Sequence, residues 1–171
     1  GGHEGDTIRA SHGDNRVFGD DGAVDYVRFE RGGETPGADA NAGDVDIIVS
    51  LSPTAAGGAD QIDTGTGHDI VIGGRFGDTI TVVGGSNIVI GDSGLITAAN
   101  ENGNRIGSNP LSLLTVGRIE TNTFGDGGID RVTTGAGHDI VLGGHDGDVI
   151  DGGEGNNGVA GDDLAIEYVR A

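Results

Sequence analysis

The chain has 171 residues and contains no cysteine, no methionine, no tryptophan and no lysine. Without cysteine it can form neither a disulfide nor a thiolate metal site. Only four Phe and two Tyr are present, which puts a large aromatic core out of reach. All nine basic residues are arginine, against 28 Asp and Glu, for a formal net charge of −19. Such a surface repels phosphate, so nucleic acid is not an expected partner. No run approaches the roughly 18 apolar residues of a membrane span. No basic-then-apolar leader opens the chain either. It begins on Gly rather than Met, and the expectation is a processed piece, or a cut from something longer.

High charge with 34 % apolar residues, many of them alanine, would ordinarily read as disorder. The order of the 37 glycines argues otherwise. GGHEGDTI at 1–8 recurs as GGRFGDTI at 73–80 and GGHDGDVI at 143–150, spacings of 72 and 70 residues. TGTGHDIVI at 64–72 recurs as TGAGHDIVL at 134–142. DYVR (25–28) and EYVR (167–170) mark the first and third copies, so a unit of about 70 residues sits inside a double unit of about 142. A repeat with so few bulky residues, yet so regular, points to a fold held by ions as well as by apolar burial.

Within each unit the residues fall into nonapeptide rungs. Residues 55–99 and 125–171 are each a five-rung block, and 1–27 is the end of an earlier one. Segments 28–54 and 100–124 are out of phase, and alternation over Asp44–Ser52, Tyr26–Glu30 and Leu111–Glu120 predicts hairpin-like strands there. The sixth place reads Asp60, Asp69, Asp78, Asn87, Ile96 in one block and Asp130, Asp139, Asp148, Asn157, Ile166 in the next. The partial block gives Asp6, Asn15 and Val24. The eighth place is aliphatic: Ile62, Val71, Ile80 and Val89, then Val132, Val141, Ile150 and Val159. One branched side chain per short strand suits a narrow solenoid.

Places seven and nine separate the rungs into two kinds. Even rungs carry Ile70, Ile72, Ile88, Ile90, Ile140 and Leu142 there, whereas odd rungs carry Gln61, Asp63, Thr79 and Thr81. If two rungs make one coil, even rungs form one sheet, with an apolar outer face, and odd rungs form another. An apolar face of that kind needs covering. The expectation is that the inserted strands, or self-association with another copy, supply the cover.

The loops carry the chemistry. Glycines allow tight turns that bring carbonyls inward, and each Asp adds a hard anionic oxygen. Rungs n and n+2 would lie about 4.8 Å apart, so an ion could sit between them. This pattern resembles the G-G-x-G-x-D-x-U-x nonapeptide of the RTX proteins over about two-thirds of the chain. TGTGHDIVI and TGAGHDIVL match at places two, four, six and eight. GGHEGDTIR, GGRFGDTIT and GGHDGDVID move the fourth-place Gly to the fifth.

The resemblance implies an all-β fold, a right-handed calcium-binding parallel β-roll or β-solenoid, here with β-hairpin insertions. It implies carboxylate ligands at Asp6, Asp60, Asp69, Asp78, Asp130, Asp139 and Asp148, with Asn15, Asn87 and Asn157 as neutral variants. The fifth rung has an apolar sixth place but opens on Gly-Asp, giving Asp20, Asp92 and Asp162. These are expected to replace the missing carboxylate, pairing Asp6 with Asp20, Asp78 with Asp92 and Asp148 with Asp162. With Asp60–Asp78, Asp69–Asn87, Asp130–Asp148 and Asp139–Asn157, that makes about seven Ca²⁺.

Other features read more plainly. His68 and His138, at fifth places, are expected to be exposed turn residues. GDSG at 91–94 echoes the nucleophile loop of a serine protease, but its aligned copies are GDDG and GDDL, so Ser93 is not expected to be catalytic. The chain is therefore expected to be no enzyme but a calcium-rigidified segment of a giant adhesin, matrix protein or filament. The resemblance adds type I secretion to the bacterial cell surface or beyond. The alternatives are the RTX tail of a secreted enzyme or toxin, and a solenoid module that binds ice or glycans.

Overall fold

A computed structural model describes residues 1–26, 44–51, 56–99, 105–106, 114–125 and 127–168. These form sixteen β-strands and no helix, so none crosses a membrane as a helix. The alternation expected after Tyr26 and the RGGETPGADANAG loop lie outside the described residues, as does most of ENGNRIGSNP.

Odd rungs supply one parallel sheet. Its strands are Thr7–Arg9 (β1), Gln61–Thr66 (β5), Thr79–Gly84 (β7), Arg131–Ala136 (β12) and Val149–Asp151 (β14), in the order β1-β5-β7-β12-β14. Even rungs supply a second: Arg16–Phe18 (β2), Ile70–Ile72 (β6), Ile88–Ile90 (β8), Ile140–Leu142 (β13) and Gly158–Ala160 (β15), also parallel and adjacent in chain order. The eighth-place side chains pack between them. Val17, Ile62, Val71, Ile80, Val89, Val132 and Val141 join Val82 in one buried cluster, with Ile8 and Ile150 at its margins. Val159, in the edge strand β15 of the second sheet, remains half exposed.

The fifth rung departs from the expected stack. Gly22–Asp25 (β3), Gly94–Ala98 (β9) and Ala165–Glu167 (β16) pair with neither parallel sheet. With Ile47–Ser50 (β4), Arg105–Ile106 (β10) and Leu114–Thr121 (β11) they build an antiparallel third sheet. Its order is β10-β11-β9-β4-β3, with β16 also on β11. The inserted strands expected near 44–52 and 111–120 are thus β4 and β11. The apolar sixth places Val24, Ile96 and Ile166 face the second sheet and pack with Ile48, Leu114, Val116 and Ile119.

This third sheet settles what covers the apolar face. Ile70, Ile72, Ile88, Ile90 and Leu142 are at most 2 % exposed and belong to one cluster with the third sheet, against which Ile140 also packs. Self-association through these six side chains, the expected alternative, is therefore corrected: the chain's own strands occupy the face. Apolar burial on this scale makes the third sheet part of the fold rather than a decoration. Truncating a fully buried Ile costs about 2–5 kcal/mol. Ile96→Ala, where the side chain is 0 % exposed, should lower the urea midpoint in saturating calcium by an amount in that range, without splitting the transition. A separate early transition would mean that the third sheet folds independently.

Candidate metal sites along two loop columns

The six-residue loops that precede the strands stack into two columns. In the first, each sixth-place Asp is tied to the rung before it. Asp60 Oδ1 accepts the Asp6 N–H at 2.6 Å, Asp78 Oδ1 that of Asp60 at 2.7 Å, Asp130 Oδ1 that of Asp78 at 2.7 Å, and Asp148 Oδ1 that of Asp130 at 2.9 Å. In the second, Asp69 Oδ1 accepts from Asn15 N, Asn87 Oδ1 from Asp69 N, Asp139 Oδ1 from Asn87 N and Asn157 Oδ1 from Asp139 N, all at 2.9–3.0 Å.

The structure therefore places Asp60 beside Asp78, Asp130 beside Asp148, Asp69 beside Asn87 and Asp139 beside Asn157. The ladder also joins Asp78 to Asp130 and Asp6 to Asp60, two contacts not expected from the sequence, while among the described residues no ladder bond joins Asp6 to Asp20, Asp78 to Asp92 or Asp148 to Asp162.

The reason is how the chain leaves the column. Gly2 N–H bonds Gly19 O and Asp20 N–H bonds Gly73 O, so residues 19–20 lie between the loops that begin at Gly1 and Gly73. The sixth place of that same level is Asp60. One loop is thus assembled from residues 19–20 and residues 57–60, and the third-sheet excursion runs between them. Gly91, Asp92 and residues 127–130 repeat the arrangement.

At each junction the Asp carboxylate clasps the returning chain. Asp20 accepts Gly58 N–H at 3.1 Å and Arg75 N–H at 2.6 Å. Asp92 accepts Gly128 N–H at 3.0 Å and His145 N–H at 2.5 Å. Asp162, at the far end of the stack, is exposed. Ser93 sits next to the second junction, 2 % exposed.

The second carboxylate oxygen distinguishes the ladder aspartates. Oδ2 of Asp60, Asp69, Asp78, Asp130, Asp139 and Asp148 is buried and accepts no hydrogen bond. In the first column it faces the opening glycine of its own loop, together with a glycine carbonyl of the next. A methyl placed on Gly91 would lie 2.0 Å from Asp130 Oδ2 and 2.6 Å from Gly143 O. On Gly73 it would lie 2.3 Å from Asp78 Oδ2 and 2.0 Å from Gly91 O, and Gly19 and Gly143 have the same surroundings. Two hard oxygens border one small space at each level.

A buried carboxylate oxygen with no donor is costly unless the charge is removed or matched. Burial raises Asp78 to about 9 and Asp130 to about 8, with neighbouring carboxylates adding to the effect. It raises Asp92 to about 7, against the pull of the His145 and Gly128 N–H groups. Asp20, Asp60 and Asp148 are also raised, by burial first. A cation beside these oxygens would supply the matching charge.

Among the described residues no three His, Cys, Asp or Glu side chains converge, so a metal here would draw chiefly on backbone oxygen. One carboxylate and glycine carbonyls are the donor set of a hard cation such as Ca²⁺, and the residues fit that group. The sequence reading expected inward-turned carbonyls but did not single out those of Gly73, Gly91, Gly143 and Gly161; the Gly-Gly or Gly-Asp doublet after each even rung is their signal.

The fifth-place histidines are exposed, as expected. Their Nδ1 atoms lie within hydrogen-bonding distance of the next rung, receiving Ser86 N–H at His68 and Asn156 N–H at His138. A family model described as the RTX calcium-binding nonapeptide repeat, in four copies, matches residues 1–23, 54–80 and 124–159. Neither the curated proteins nor the solved structures compared with the chain contain a match.

Proposed function

Since the chain belongs to the RTX calcium-binding nonapeptide repeat family, matched over about half its length, we propose that it is a structural rod segment folded and stiffened by calcium. Its setting is an extracellular adhesin, matrix protein or filament, reached by type I secretion. The two parallel sheets and their loops form a right-handed β-roll, and the third sheet is a side layer built from excursions out of one loop column.

Calcium sits at the unpartnered Oδ2 of Asp60, Asp78, Asp130 and Asp148 in the first column and of Asp69 and Asp139 in the second, and at Asp6, whose Oδ2 borders Gly1 together with Gly19 O. That set keeps the count at about seven ions. Asp20 and Asp92 act as clasps, because both of their carboxylate oxygens already hold N–H donors.

The observation that carries the reading is the repetition of one oxygen pair, an unpartnered carboxylate Oδ2 beside a glycine carbonyl, through successive levels of the stack. A catalytic site occurs a single time per chain, whereas a load-bearing element repeats. The exposed, polar outer face of the first sheet, with Gln61 and Thr79 open to solvent, suits an element that spaces other parts in water.

Electron microscopy of the intact native protein tests this. Extended rods or filaments in calcium that collapse on chelation are the expected result. A compact catalytic or lytic domain carrying this segment as a short tail would overturn it.

A further inference from the structure

We propose that Asn15, Asn87 and Asn157 each stand in for a carboxylate together with its cation, so that the sequence itself determines which levels of the second column hold calcium. The inference rests on the reading above, that the ladder aspartates bind Ca²⁺.

An aspartate and an asparagine occupy the ladder in the same pose. Asp78 Oδ1 accepts the N–H of Asp60, and Asn87 Oδ1 accepts that of Asp69. They differ at the second atom. Asp78 Oδ2 is buried without a partner, whereas Asn87 Nδ2 donates to Gly85 O at 3.1 Å and to Asp139 Oδ1 at 2.9 Å.

Asn15 repeats this on the level before. Its Nδ2 donates to Gly13 O at 2.7 Å, Ser11 O at 3.0 Å and Asp69 Oδ1 at 2.8 Å. Asn157 Nδ2 turns to the carbonyls of Gly152 and Gly153. A carbonyl oxygen can only accept, so the atom that faces it must be the amide nitrogen.

At Asn15 and Asn87 the amide N–H groups therefore bond loop carbonyls and the next carboxylate, and at Asn157 two loop carbonyls, the kinds of oxygen a cation would collect. An ion at that level would meet N–H hydrogens and gain no anionic oxygen from the asparagine. The second column alternates Asn15, Asp69, Asn87, Asp139, Asn157, so each of its aspartates has an amide on either side. The first column is Asp throughout. Calcium loading is thus asymmetric across the rod: every level on one edge, and alternate levels on the other.

The test is to count bound calcium per chain by elemental analysis, after equilibration in saturating Ca²⁺ and removal of the free ion. Asn87→Asp should bind one ion more than the native chain. Asp78→Asn should bind one fewer, with native β-sheet circular dichroism in calcium, and should retain more of that signal in chelator than the native chain does. If Asn87→Asp disturbs folding, the Asp78→Asn count decides alone. A native chain that binds calcium while either folded variant keeps the native count overturns the inference. A native chain that binds none overturns the calcium reading on which it rests.

Discussion

Removing divalent cations at neutral pH should abolish the β-sheet circular dichroism of this chain, and adding back excess calcium should restore it. The size of the effect follows from the loop columns. Six ladder carboxylates each bury an oxygen that has no donor, in a chain whose formal charge is −19. A ligand that binds only the folded state at a hundredfold excess over its Kd adds ~2.7 kcal/mol. Two such sites match the lower end of the ~5–15 kcal/mol net stability of an ordinary domain, and about six exceed its upper end.

The same geometry fixes how the metal-free chain responds to pH. Asp78, Asp130 and Asp92 have folded values of about 9, about 8 and about 7, above the ordinary 3.8. The fold binds their protons more tightly than the unfolded chain does. Their stabilising contribution is therefore present below pH ~4 and is lost as pH rises through roughly 7–9. In chelator, acidification from pH 8 to 5 should recover part of the β-sheet signal, while the calcium midpoint for folding moves to higher concentration as protons compete for the same oxygens. A chain that keeps its full spectrum in chelator at pH 8 would refute both expectations.

How far the sequence could be read depends on whether neighbours in the stack are neighbours in the chain. Asp60 and Asp78 are 18 residues apart with regular rungs between them, and counting nines places them together correctly. Asp78 and Asp130 stack just as closely across 52 residues. No count of nines reaches that pairing, because the chain quits the loop at Asp92 and returns near Gly127.

Two clues to this were visible. Ile96 and Ile166 are apolar where a ladder residue should stand, and the fifth rungs open on Gly-Asp. The sequence reading took them for a modified ion site. In the fold they mark the junction with a third sheet, and Ile96 is buried against the isoleucines of β6 and β8. The apolar outer face was legible because its period of two survives in three even rungs, at Ile70 and Ile72, Ile88 and Ile90, and Ile140 and Leu142. Its cover lay in segments whose pairing is antiparallel and long-range, which local periodicity does not encode.

Gly91→Ala should be among the most damaging single methyl additions in the molecule, and it separates the ion's space from its ligands. No oxygen is removed by the change. Gly91 does not have the left-handed backbone conformation found at Gly74 or Gly144, so alanine incurs no dihedral strain there. What it meets is the cradle, with Asp130 Oδ2 at 2.0 Å and Gly143 O at 2.6 Å. Neither oxygen can retreat easily. Asp130 is held through Oδ1 by the Asp78 N–H at 2.7 Å, and Gly143 O accepts the Asp92 N–H at 3.1 Å. The methyl would therefore displace the ion and strain the level around it. Overpacking of this kind costs ~1–3 kcal/mol, and loss of a saturated site adds ~2.7 kcal/mol at hundredfold excess. The variant should bind one calcium fewer and melt well below the native chain in saturating Ca²⁺. Gly147→Ala is the control, since a methyl there has nothing within 4 Å, and it should leave both quantities unchanged. Native calcium count and native melting temperature in Gly91→Ala would mean that the space beside Asp130 is not where the ion sits.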